Sequence, residues 1–102
     1  MGNRVDFSVI ASAARSCLPL LVSRWLPEGC REGREWVARN PTRADRRPGL
    51  FKVNLVTGRW ADFATGHKGG DAISLAAHLH NLTQSEAARR LAEMLGVQDH
   101  SR

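Results

Sequence analysis

The run Leu50-Phe51-Lys52-Val53-Asn54-Leu55-Val56-Thr57-Gly58-Arg59-Trp60-Ala61-Asp62-Phe63 alternates in its first half. Phe51, Val53 and Leu55 fall on one side and Lys52 and Asn54 on the other, the period-two signature of a half-buried strand. Val56-Thr57-Gly58-Arg59 then turns the chain into Trp60-Ala61-Asp62-Phe63, which makes the segment a β-hairpin with Phe51 in the core. Upstream, Glu35-Trp36-Val37-Ala38 is a further strand that ends at Asn40-Pro41, and residues 28 to 33 are a loop. Downstream, residues 64 to 70 (Ala-Thr-Gly-His-Lys-Gly-Gly) form another loop before Asp71 caps a helix running to His80.

The remaining segments are helical. Asp6 is an N-cap for Phe7 to Ser16, and Pro19 opens a second helix over Leu18 to Leu26 that Pro27 and Gly29 stop. Thr83 and Glu86 have the spacing of a capping box, with Ala87, Ala88, Leu91, Met94 and Leu95 as the apolar stripe and Gly96 as the C-terminal stop. Residues 97 to 102 read as a frayed tail. The order α, α, β, β, β, α, α predicts an α+β domain with a small antiparallel sheet of about three strands and helices at both termini. It forms one domain over 1–96, with a helical part at 6–27 and the sheet and helices at 34–96.

A chain of 102 residues and 42% hydrophobic composition supports one core, which excludes a complete polymerase, helicase or primase. No window approaches a membrane span, and the acid at Asp6 does not suit a signal peptide, so the expectation is a cytoplasmic protein without a membrane partner. That compartment favours free thiols at Cys17 and Cys30 over a disulfide.

Net charge is +5, and all of the excess lies in the middle of the chain. Residues 31 to 68 carry nine bases, Arg31, Arg34, Arg39, Arg43, Arg46, Arg47, Lys52, Arg59 and Lys68, against four acids, Glu32, Glu35, Asp45 and Asp62. Thirteen of the fifteen bases in the chain are arginine, whose planar fork suits phosphate, so a polyanion is the natural partner. Thr42 to Gly49 has no large apolar residue to anchor it and reads as an exposed basic loop. The alternative for such charge is a solubilising face.

Residues that could carry chemistry are few. The glycines and Lys68 between Ala64 and Asp71 would suit a phosphate cradle, or else a tight strand-to-helix connection with positive φ at Gly69 or Gly70. Zinc would need paired ligands, and the sequence has no Cys-x-x-Cys, Cys-x-x-His or His-x-x-x-His. His78 and His80, two apart on a helix, point to different sides, while His67 and His100 lack a near partner in sequence. Nothing pairs Asp45 with Asp62 as a carboxylate dyad, and no serine has an activating motif, so no catalytic residue, metal ligand or cofactor is assigned and the chain is read as a non-enzyme. Trp36 and Trp60 alternate with arginines in the strands, an arrangement compatible with core packing or with stacking on bases.

The segment Trp60-Ala61-Asp62-Phe63-Ala64-Thr65-Gly66-His67-Lys68-Gly69-Gly70-Asp71-Ala72-Ile73-Ser74-Leu75, with Glu86-Ala87-Ala88-Arg89-Arg90-Leu91-Ala92 behind it, resembles the N-terminal zinc-ribbon domain of DnaG-type DNA primases and of phage and plasmid primase-helicases. Pro48-Gly49-Leu50-Phe51-Lys52-Val53 is similar to the family's central strand and Gly70-Asp71-Ala72-Ile73 to the helix start after its second metal knuckle. The likeness covers about residues 34 to 96. The knuckles depart from the pattern: residues around Phe63 and Gly66, and Ala38 to Arg43, stand where the ligands would be. The resemblance therefore implies a degenerate, zinc-less ribbon held by apolar packing. It also implies a role in replication or priming in a mobile element such as a plasmid or prophage, recognising template DNA beside a primase or helicase subunit.

The reading that follows is a non-catalytic module that binds single-stranded or template DNA. Arg39, Arg43, Arg46, Arg47, Arg59 and Lys68 would contact phosphates and Trp60 would stack on a base. The alternative is a protein adaptor whose basic face meets an acidic replication or host partner. Changing Arg43, Arg46 and Arg47 together to alanine should flatten the slope of log affinity for an oligonucleotide against log salt by roughly two to three units. An unchanged slope removes that loop from the interface.

Overall fold

The computed structural model describes residues 6–38 and 51–97. In chain order the elements are α1 (Phe7–Arg15), α2 (Leu18–Trp25), β1 (Cys30–Glu32), β2 (Glu35–Ala38), β3 (Phe51–Asn54), β4 (Trp60–Asp62), β5 (Lys68–Gly69), α3 (Ala72–His80) and α4 (Gln84–Leu95). The five strands form one antiparallel sheet in the order β1-β2-β3-β4-β5. The class is α+β, with helices at both ends of the chain. The basic loop at Thr42 to Gly49 lies outside the described residues.

The caps lie where the side-chain chemistry puts them. Asp6 accepts from the Val9 amide at 3.2 Å and Asp71 from the Ser74 amide at 2.8 Å. Thr83 and Glu86 close a reciprocal capping box. The hydrogen bonds from Thr83 hold the Glu86 carboxyl below its ordinary pKa. Asn81 and Gly96 end α3 and α4 in the left-handed conformation.

Two expectations are corrected. The segments 28–33 and 64–70, read as loops, contribute the edge strands β1 and β5, so the sheet has five strands instead of three. Both are two or three residues long, and β1 is exposed throughout, so neither carries an alternating pattern. Val97, assigned to a frayed tail, packs against the core and donates its amide to the Ala92 carbonyl at 2.9 Å.

The strand register sorts side chains onto two faces. Trp36, Ala38, Phe51, Val53, Trp60 and Asp62 share the inner face, and Val37, Lys52, Asn54, Ala61 and Lys68 the outer. The apolar inner residues join Leu18, Val22, Ile73, Leu75 and Leu91 in one core. Fully burying a side chain of the Leu or Phe class contributes about 1.5–3 kcal/mol.

Two glycines make that packing possible. Gly69 lies opposite Trp60 in the ladder, and a Cβ there would collide with the Trp60 Nε1 and Ser74 Oγ atoms, which hydrogen-bond to each other at 2.9 Å. Gly29 is likewise too close for a Cβ to Trp36 Nε1, which donates to the Leu26 carbonyl at the end of α2. The positive φ expected at Gly69 or Gly70 belongs instead to Gly66, at +83°.

Candidate nucleic-acid interface

Asp62 is the one buried polar residue among the described residues, 1% exposed. Its Oδ1 accepts from the amides of Ala64 and Thr65, at 3.0 and 3.3 Å. Its carbonyl accepts from Thr65 and Gly66. The other carboxylate oxygen, Oδ2, lies 3.3 Å from His78 Nε2 on α3. A buried carboxylate thus holds the β4–β5 turn from inside. The turn between β3 and β4 is fastened the same way, with Asn54 Oδ1 accepting from Val56 and Thr57 at 2.8 and 3.0 Å.

These clamps decide what the turns display. Phe63, one residue beyond Asp62, is turned outward and is 62% exposed. Lys52 Nζ stands 6.0 Å from its ring centroid, which places the ring on the outer face of the sheet. Lys52, Ala61 and Lys68 are paired across three strands, so the two lysines lie about 10 Å apart, two strand spacings. Ala61 between them leaves a shallow floor.

The outer face is electrically divided. Glu32 and Glu35 stand opposite each other on β1 and β2, and Lys52 reaches Glu35 at 4.0 Å across partly exposed side chains. Such a pair contributes less than about 1 kcal/mol and leaves Lys52 able to exchange partners. Lys68 and Arg59, both exposed, have no salt-bridge partner among the described residues. The basic part of this face is therefore the half formed by β3, β4 and β5.

The residues expected to bind divide accordingly. Arg59 and Lys68 are exposed beside this surface. Arg39, Arg43, Arg46 and Arg47 lie outside the described residues. Trp60 is displaced from the role of stacking residue: it is 6% exposed, lies against Phe51 at 5.6 Å and His78 at 4.7 Å between ring centroids, and gives its N–H to Ser74. A ring so deeply buried cannot receive a base, and Phe63 is the aromatic that the sheet presents.

His67 has no near partner in sequence, and the fold supplies one in His78. Their rings approach to 5.1 Å across eleven residues of chain, and His67 Nδ1 contacts Thr65 Oγ1 at 2.9 Å. The spacing of Asp71, Ser74 and His78, three and four apart on one side of α3, was the available signal. Among the described residues no group of three metal-binding side chains is placed to hold an ion. Cys17 and Cys30 are free, and no described helix is long and apolar enough to cross a membrane.

No protein-family model matches this sequence, and no curated protein is similar to it.

Replacing Asp62 with alanine strips the Ala64 amide of its acceptor and leaves the Thr65 amide only the Asp62 carbonyl, and the expected loss of stability is about 1–3 kcal/mol by denaturant titration. Asp62→Asn keeps the Oδ1 acceptor and should lose less. Equal losses for the two variants would show that the turn does not depend on that oxygen.

Proposed function

We propose that this protein is a non-catalytic nucleic-acid-binding module of DNA replication or priming in a mobile element, engaging single-stranded or template DNA beside a primase or helicase subunit. The observation that carries the proposal is the alignment of Lys52 and Lys68 on either side of Ala61 on the outer face of the sheet, with the outward ring of Phe63 beside Lys52. Single-strand binders combine cations that follow the phosphates with an aromatic on which a base stacks. Arg59 adds a cation at the start of β4, and the arginines at 39, 43, 46 and 47 would extend the track.

The division of labour is physical. Cations acting on phosphates supply affinity that declines with salt, because each neutralised phosphate releases counterions. A stacked ring supplies affinity that salt barely changes. The two glutamates at the β1–β2 end repel a phosphate chain, which confines the strand to the other half of the face.

The test is fluorescence anisotropy with a labelled oligothymidine at two salt concentrations. The wild-type protein should bind with about micromolar affinity at low salt. Lys52→Gln with Lys68→Gln should reduce the slope against log salt by roughly 1.4 units, about 0.7 for each phosphate of the single strand that is no longer neutralised. Phe63→Ser should weaken binding about tenfold with the slope unchanged, the effect of losing one stacked base. No binding at low salt, or variants indistinguishable from wild type, would reject this surface and favour the adaptor reading.

A further inference from the structure

On the helical side of the molecule, α2, α3 and α4 leave an open groove of about 190 Å³. Its walls are Trp25, Leu82 and Met94, its floor includes Leu91, and its polar members are His80 and Arg90. Met94 is 49% exposed although it belongs to the apolar stripe of α4. A cavity of about 150 Å³ accepts benzene, so this groove has room for one bulky apolar side chain.

Two of its donors, the Trp25 indole N–H and the Arg90 guanidinium, have no acceptor among the described residues. Trp36 and Trp60 each give their indole N–H to a protein oxygen, whereas that of Trp25 has no such partner among the described residues. Arg90 makes no salt bridge among the described residues. Glu86, one turn before it, has its carboxylate turned back onto the Thr83 amide at 2.9 Å. His80 Nδ1 lies 3.2 Å from the Ala76 carbonyl; because a carbonyl only accepts, that nitrogen carries the hydrogen and the ring is oriented by its own helix. Its edge-on contact with Trp25, at 6.1 Å, orders the wall.

We propose that this groove docks an acidic segment of a partner protein through one buried apolar anchor residue, with a neighbouring carboxylate received by Arg90 and the Trp25 N–H. Apolar walls select the anchor, and a guanidinium and an unpaired indole N–H lining the same groove select an acceptor that carries negative charge. An anchor seated in a pocket with its flanking charge paired is the common form of an interaction hot spot. The site is separate from the outer sheet face, so both can be occupied at once.

The experiment uses the 15N-labelled full chain and a short capped peptide of aspartates and glutamates around a single phenylalanine. The Trp25 indole N–H, identified by its absence in Trp25→Phe, should shift and saturate with a Kd below about 1 mM, while those of Trp36 and Trp60 stay in place. Arg90→Gln, or serine for the phenylalanine of the peptide, should weaken binding about tenfold. Met94→Glu should abolish it, with unchanged Trp36 and Trp60 signals showing that the fold is intact. An unmoved Trp25 signal, an equal response to the Asn/Gln version of the peptide, indifference to Arg90→Gln, or oligothymidine shifting Trp25 in place of the peptide would each overturn the proposal.

Discussion

Sheet and helices are joined where the rings of Phe51, Trp60 and His78 meet, each touching the other two with centroids 4.7 to 6.0 Å apart. Phe51 and Trp60 are diagonal neighbours on β3 and β4 with planes only 5° apart, and His78 of α3 packs against both, its ring 25° from the indole and 21° from the Phe51 ring. Ser74, one turn earlier on α3, takes the indole N–H, and Asp62 beneath holds His78. One helix therefore grips one strand at two points. Burying the polar pair is tolerable only because its atoms are hydrogen-bonded, since an unpaired carboxylate there would cost several kcal/mol.

That junction shapes the outer surface as well. Asp62 uses one oxygen on the helix and the other on the turn, so anchoring α3 and displaying Phe63 are the work of a single side chain. Gly69 completes the arrangement by leaving room for the Trp60–Ser74 hydrogen bond. The inner face is filled by large rings and the outer face keeps a small residue, Ala61, between two lysines. A shallow cationic strip beside an exposed ring is the consequence.

Much of this was legible in the sequence because it is written in local terms. The β3–β4 hairpin follows from alternation, α1, α3 and α4 from their cap residues, and the burial of Phe51 from its neighbours Val53 and Leu55. Strands β1 and β5 escaped because they are edge strands of three and two residues, defined by backbone pairing to β2 and β4 and not by side-chain pattern. Trp60 was ambiguous since strand alternation assigns a face without saying which face is covered. Its neighbour Phe63 falls on the other face by the same alternation. The contacts of His78 with Asp62 and His67 span sixteen and eleven residues, which no local rule reports, and the groove at Trp25 needs three helices to exist.

Amide hydrogen exchange measured under native conditions addresses the role of that junction most directly. If the Phe51–Trp60–His78 stack unites sheet and helices, the slowest amides of β3, β4 and α3 exchange at one common free energy, that of global unfolding. Amides of β3 and β4 opening about 2 kcal/mol or more below those of α3, with the helix still protected, would show that the sheet and the helices are held separately and would contradict the account.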